Sequence, residues 1–401
     1  MKWLAILALA LGAWRQTTQP AIAPSKFVVA PVQATANMAS QPITLREIVR
    51  YDIPMPANTP AAHASFLLAD KTANGQDRLR AFWFAGERES GPDVQIVVSE
   101  FAAKPDGTGV WSAPSPQVNR HEAFKALGWW NPFNSIRRIG NPVAWTDSQG
   151  RTHLYVVATT WLGGWAASRI LHLVEAKQDG ASQAFKPIGF LQLSPFFNIS
   201  HLVRGTPIPT SDGGALLPAY FELGIKYPVA VRLDSNGELV QSRDAVVRMA
   251  GNLASLQPTL AVASASDAIA YLRDNSDEQK LRFVQTTDSG KSWRDADADF
   301  VINPDSSPTA VRIKGQTLLI HNPQTSGRHR LVIEASDNGL RGFKRLATLE
   351  YEPPQLDGVA FNEYSYPSAV VMGDKLHVSY TYQKRFIRHV VLQIENAEVG
   401  K

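Results

Sequence analysis

One pattern recurs six times along the chain: a Pro or small residue, a short apolar strand, a turn that carries Asp or Gly, and a second strongly apolar strand. The copies begin at His63 (HASFLLADKTANGQDRLRAFWF), Asn141 (NPVAWTDSQGRTHLYVVA), Thr206 (TPIPTSDGGALLPAYF), Gln257 (QPTLAVASASDAIAYLRD), Ser307 (SPTAVRIKGQTLLIHN) and Tyr366 (YPSAVVMGDKLHVSYTY). Internal repetition at a period of roughly 50 to 80 residues, with almost no sustained 3.6-residue period beyond residue 41, restricts the chain to repeated β-architecture. Two hairpins fill each period, which makes one four-stranded blade, and radial repetition hides sheet edges that would otherwise pair with other chains. The pattern therefore predicts an all-β fold, a six-bladed β-propeller over residues 41–401. Closure is expected between residues 41–53 (QPITLREIVRYDI) and the C-terminal RHVVLQI. The Pro of five copies is expected at the first residue of a strand, where no ladder donor is needed.

A second signature is expected between the two hairpins of a blade. Thr286-Thr287-Asp288-Ser289-Gly290-Lys291-Ser292-Trp293 fits [ST]-x-D-x-G-x-x-W. Its chemistry is that of a hairpin turn: Asp caps backbone N–H groups, Gly takes positive φ and Trp packs under the turn. Ser336-Asp337-Asn338-Gly339 with Phe343 is a decayed copy, and Asp106 to Trp111 and Asp234 to Gly237 are weaker ones. Trp145 and Trp293 are assigned to structure. Trp129, Trp130, Phe133, Trp161 and Trp165 cluster in loops of the first two blades, where exposed rings would offer stacking faces to a ligand.

With 44% hydrophobic and 19% charged residues among 401, the chain can bury a large core and is not disordered. A net charge of +4 without any Lys/Arg run leaves no footprint for nucleic acid. The absence of cysteine excludes disulfides, Cys-type zinc sites and a lipoprotein lipobox. No metalloprotease, EF-hand, P-loop or nucleophile-elbow motif is present, and neither cofactor nor catalytic metal is expected. Lys2 precedes the apolar run Trp3 to Trp14, which suits a signal h-region better than a bilayer span. Residues 1–23 are read as a signal peptide or short membrane anchor, with residues 3–14 as the tether in the latter case, and 24–40 as a flexible linker. Ala21-Ile22-Ala23 is the best cleavage site, but Pro24 disfavours it. Export follows: a periplasmic, secreted or inner-membrane-anchored protein.

These stretches, from HASFL and AFWFAGERESGPDVQIVVSEF through NPVAWTDSQGRTHLYVV and LLPAYFEL to YSYPSAVVMGDKLHVSYTYQKRFIRHVVL, resemble the sialidase/neuraminidase-like BNR (Asp-box) repeat family over residues 63–392. The resemblance implies a sialidase-like propeller whose active members hold a substrate carboxylate with three arginines. Their tyrosine nucleophile is paired with a glutamate, and an aspartate serves as acid/base. Carried onto this chain, Tyr366 stands for the nucleophile, Arg273 for the second arginine and Arg328 for the third. His63 replaces the first arginine, Gln257 replaces the glutamate, and Glu87 or Glu89, or the slightly late Asp93, lies near the acid/base loop. A neutral amide does not take a proton as a carboxylate does, and a His is mostly uncharged at neutral pH.

Other residues begin innermost strands and so face the axis: Arg138 and Asn141, Arg204, and Tyr220 with Glu222. Glu222 or Glu89 as proton donor, His63 as base or ligand contact, and Arg204, Arg273 and Arg328 on a carboxylate would suit an acidic sugar. The expected activity is an exo-acting, sialidase-like glycoside hydrolase on sialic-acid-like or other acidic sugars, with an acidic glycan as partner. The alternatives are a non-catalytic glycan-binding propeller and a polysaccharide lyase on uronate-containing glycans using His63 and Tyr366.

Overall fold

The computed structural model describes residues 25–29, 42–72, 74–128, 135–160, 164–176, 184–194, 198–352 and 362–397. These residues form six antiparallel sheets, one for each copy of the repeat. The innermost strands are Ala61–Lys71, Arg138–Thr146, His201–Val203 with Ile208–Pro209, Ser255–Val262, Thr309–Ile313 and Tyr364–Met372. Neighbouring blades pack on one another around a common axis, the third meeting the fourth through Ala215–Phe221, and Ala61–Lys71 lies against Tyr364–Met372 to complete the ring. The first blade is the one that begins at Ala61. The sixth is completed by the N-terminal strand Ile43–Asp52, which pairs antiparallel with Phe386–Asn396 from Ile43↔Asn396 to Asp52↔Arg388, the closure expected from the sequence. The C-terminal strand Phe386–Asn396 is thereby paired on both sides, and Ile43–Asp52 forms the outer edge of that blade.

Pro207 and Pro308 stand just ahead of Ile208–Pro209 and Thr309–Ile313, close to the expected strand starts, but the other three prolines sit elsewhere. Pro142, Pro258 and Pro367 lie inside their strands at bulges, where the register skips between Gly140 and Val143, Leu256 and Thr259, and Ser365 and Ser368. A bulge leaves one residue out of the ladder, so a missing donor costs nothing there. The residue ahead of each proline takes positive φ: Asn141 at 46°, Gln257 at 48° and Tyr366 at 54°. The first blade repeats the device at Ala64, φ 53°, between His63 and Phe66. A non-glycine residue in this region is strained, and ring closure holds four of them at the same level of the propeller. In the third blade the innermost strand is interrupted instead. A Cβ on Gly205 there would lie 2.1 Å from the Pro258 carbonyl oxygen, so only glycine lets these two blades approach.

The core is a series of wedges between neighbouring blades, for example Trp83, Val97, Trp111 and Ile387 between the first and sixth. The Asp-box turn is formed as the sequence predicts in chemistry but not in position. It joins the third strand, Arg282–Thr286, to the fourth, Arg294–Asp295, within the second hairpin rather than between hairpins. Asp288 Oδ1 accepts from the Ser292 N–H at 3.0 Å, Gly290 has φ +79°, and Trp293 Nε1 donates to the Gly290 carbonyl at 3.3 Å. In the decayed copy Asn338 Oδ1 accepts from Leu340 and Arg341 N–H, both at 2.8 Å. The turns also tie blades: Tyr155 donates to the Gly237 carbonyl and Tyr271 to that of Gly339, each in the following blade.

Residues 25–29 fall in the stretch expected to be a flexible linker, yet they are docked. Phe27 is buried among Leu216, Ala230 and Leu260, and its N–H donates to the Ala265 carbonyl at 2.8 Å. An aromatic ring that fills a gap between two blades is reason enough for the chain to stop there.

Candidate functional site

The positive-φ bulges at Gln257 and Tyr366 bring both side chains to Arg273, and the loops joining second to third strands in the first and sixth blades bring Glu89 and Lys384 together beside them. At the centre stands Tyr366. The His63 ring meets its ring edge-on with centroids 4.5 Å apart. Two guanidiniums approach it, with Arg328 Cζ 5.7 Å and Arg204 Cζ 5.4 Å from the ring centroid. Arg273 Nη1 donates to the Tyr366 hydroxyl at 3.3 Å and to Gln257 Oε1 at 3.1 Å, and Gln257 Nε2 donates to the Tyr220 hydroxyl at 3.3 Å. Residues from five separate blades, the first and the third to sixth, thus converge.

The cations are answered by carboxylates. Arg273 Nε lies 2.5 Å from Asp305, Arg328 Nη1 lies 2.9 Å from Glu363, and Lys384 bridges Glu89 at 2.8 Å and Glu363 at 3.2 Å. Glu89 in turn lies 3.5 Å from His63 Nε2. Burial opposes the charge of Tyr366, but the nearby Arg273 and Arg328 outweigh it and hold the phenol below its ordinary ionisation range. Burial likewise opposes Glu363, and Arg328 prevails, taking its carboxyl down to about 2. For Glu89, burial is overcome by His63 and Lys384, and the carboxyl is held below its usual value. Burial takes His63 down to about 4, so its ring is neutral at pH 7. Glu222 goes the other way: burial raises it more than Arg273 and Lys226 lower it.

Of the residues singled out from the sequence, Tyr366, His63, Glu89, Gln257, Tyr220, Arg273 and Arg328 therefore form one group, with Glu222 in the field of Arg273. Arg204 is beneath the group rather than at its mouth. It is 5% exposed, and its Nη2 donates to the Tyr366 and Pro367 carbonyls at 2.7 and 2.9 Å. Arg138 and Asn141 begin the innermost strand of the second blade, but no hydrogen bond joins their side chains to the group among the described residues. Glu87 has an exposed side chain, and Asp93 is committed to its loop, accepting from the Glu87 N–H at 2.6 Å. Trp165 donates to Ser90 Oγ at 2.7 Å and packs over Gly140. Trp129, Trp130, Phe133 and Trp161 lie outside the described residues.

Sequence reasoning missed Glu363, Asp305 and Lys384. A usable signal existed for two of them: Glu363 and Asp305 stand three and two residues ahead of repeat starts, which is the end of the strand that faces the site. Lys384 lies in the turn between second and third strands of the sixth blade, where nothing in the repeat marks it. Among the described residues no cluster of His, Asp and Glu is arranged to hold a metal.

The model of the BNR repeat-like domain matches residues 77–378. Compared by sequence with proteins of curated function, the chain matches none. Solved structures are similar throughout the ring. A Hadza microbial sialidase superposes with TM-score 0.65 at 15% identity, covering 87% of this chain and 69% of its own. Trypanosoma rangeli sialidase superposes with TM-score 0.60 at 14% identity over 87% of this chain, which spans only 59% of that protein. A protein of unknown function from Dyadobacter fermentans, TM-score 0.58 and 15% identical, is covered over its whole length. At these identities the likeness establishes the sialidase-like propeller fold.

Proposed function

The chain belongs to the BNR repeat-like domain family, and from that premise we propose that it is a sialidase-like exo-glycoside hydrolase acting on sialic-acid-like or other acidic sugars at the Tyr366 end of the axis. The observation that carries this reading is the Tyr366 hydroxyl, 3.3 Å from Arg273 and held below ordinary tyrosine ionisation. An anomeric carbon that bears a carboxylate repels an anionic carboxylate nucleophile, whereas a phenol among cations attacks without that penalty. Gln257 is neutral and takes no proton, so activation rests on Arg273 and Arg328 lowering the phenol's pKa. The same guanidiniums, now paired with Asp305 and Glu363, would receive the sugar carboxylate in charge-assisted bonds.

The two candidate proton donors are pushed apart by their surroundings, which divides their roles. Glu89 is held ionised, while Glu222 keeps its proton to higher pH. In the proposed reaction Tyr366, its proton passed to water under the pull of Arg273 and Arg328, bonds through oxygen to the anomeric carbon as the glycosidic bond breaks and Glu222 protonates the leaving oxygen. Water then displaces tyrosine, giving its proton back to Glu222. The structural relatives include sialidases, one of them bound to sialic acid, which supports this substrate class. Export through the leader at 1–23 would place the protein where such glycans are met.

One observation favours a second reading, a glycan-binding propeller without turnover: Gln257 stands beside Tyr366 where a base would be. A panel of sialosides and uronides separates the two. Hydrolysis releases free sugar, and a fluorinated sugar that traps the intermediate leaves a mass adduct on the Tyr366 peptide. A saturable rise in melting temperature with no product and no adduct would establish the binder instead.

A further inference from the structure

Beneath Tyr366 the axis holds a small cavity whose lining includes Arg204, Thr206, Thr259, Thr309 and Ser368, from four successive blades. It admits a guest about the size of one water or a monatomic ion. Its chemistry is one-sided. Arg204 is 5% exposed, its recorded hydrogen bonds both leave from Nη2, and its Nε–H is buried without an acceptor. No carboxylate lines the cavity, and among the described residues none pairs with Arg204. The hydroxyls are turned the same way. Ser368 Oγ already accepts from the Leu67 N–H at 2.9 Å and Thr259 Oγ1 from the Ala310 N–H at 3.3 Å, which leaves their O–H groups to donate.

A buried guanidinium with no counter-charge costs several kcal/mol in order-of-magnitude terms, roughly the cost of breaking a buried ion pair. At this level the third and fourth blades approach closely, Gly205 standing against the Pro258 carbonyl. We infer that this cavity is a binding site for a monatomic anion, chloride in a physiological medium, held by Arg204 and the hydroxyls of Thr259 and Ser368. The anion neutralises Arg204, whose guanidinium lies 5.4 Å from the Tyr366 ring centroid, so it is a fixed charge of the site floor rather than a substrate contact. This holds whichever sugar is taken above.

The test uses the whole protein and bromide as probe. Crystals grown in bromide are expected to show an anomalous peak beside Arg204 Nε, and melting temperature is expected to rise saturably in chloride or bromide over gluconate at equal ionic strength. Thr259→Val and Ser368→Ala, which keep Arg204, are expected to weaken half-saturation about 10-fold together, the loss of roughly 1.4 kcal/mol of binding. Arg204→Met should abolish the halide-specific shift; if that variant does not fold, the hydroxyl variants carry the test. A single ordered water in place of the peak, or equal melting in chloride and gluconate, would overturn the inference.

Discussion

Arg80→Met should destabilise the propeller by breaking the tie between the first two blades. Arg80 is 4% exposed, and its guanidinium contacts Asp70 of its own blade at 2.5 Å and, in the second blade, Glu175 at 2.7 Å and Thr152 Oγ1 at 2.6 Å. Removing one partner of a buried pair costs about 3–5 kcal/mol, chiefly because the other charge is stranded. Here the two carboxylates fare differently. Asp70 keeps Arg78, bound through two nitrogens at 2.9 and 2.7 Å. Glu175, with its side chain 9% exposed, loses its only ion pair among the described residues. The cost should therefore fall at the lower end, about 3 kcal/mol, and Arg80→Met with Glu175→Met should recover about 2 kcal/mol of it, since the stranded charge is gone. Urea denaturation of the wild type, both single variants and the double variant measures this coupling. A loss under about 1 kcal/mol for Arg80→Met, or strict additivity of the pair, would refute the account.

Glu222→Gln should lower turnover of alkyl glycosides by about 10²–10⁴-fold while sparing substrates with acidic phenol leaving groups, the signature of a lost proton donor; an equal loss on both would assign Glu222 another role. Acid should destabilise the fold early. Burial takes His63, His201 and His377 down to about 4 and His172 to about 3, whereas the unfolded chain protonates these rings near the ordinary value of about 6.5. Their folded values are depressed, so this stability is full above about pH 6.5 and is lost as pH falls toward 4. Melting temperatures recorded across that window should fall steadily, and a flat profile would contradict it. Phe27→Ala should cost about 3 kcal/mol at the edge where residues 25–29 dock and raise their amide exchange; unchanged protection would show that Phe27 does not hold the segment.

Much of the site could be named in advance because the repeat is in phase with the ring. Tyr366, Gln257 and His63 each stand at the start of a copy, and that start is the end of the innermost strand nearest the site. Arg273 and Arg328 follow from the same phase, one at the end of a second strand and the other just before a third. Arg204 shows where phase stops being informative. It too precedes a repeat start, but the interrupted strand of the third blade lets it turn under Tyr366 and donate to backbone carbonyls. Lys384 had no signal, because a turn residue's reach depends on which loop of another blade it meets.

The order of strands, their grouping by six and the chemistry of the Asp-box turn were determined by the sequence alone. Each depends on alternation, turn residues and spacing, all of which act over a few positions of one chain. Only the tertiary structure decided that Pro142, Pro258 and Pro367 sit at strained bulges, that a neutral Gln257 shares Arg273 with Tyr366, and that Arg204 is left without a carboxylate. Those features arise from closing the ring, which forces strand starts from distant parts of the chain into contact and so sets their backbone angles and charge partners together.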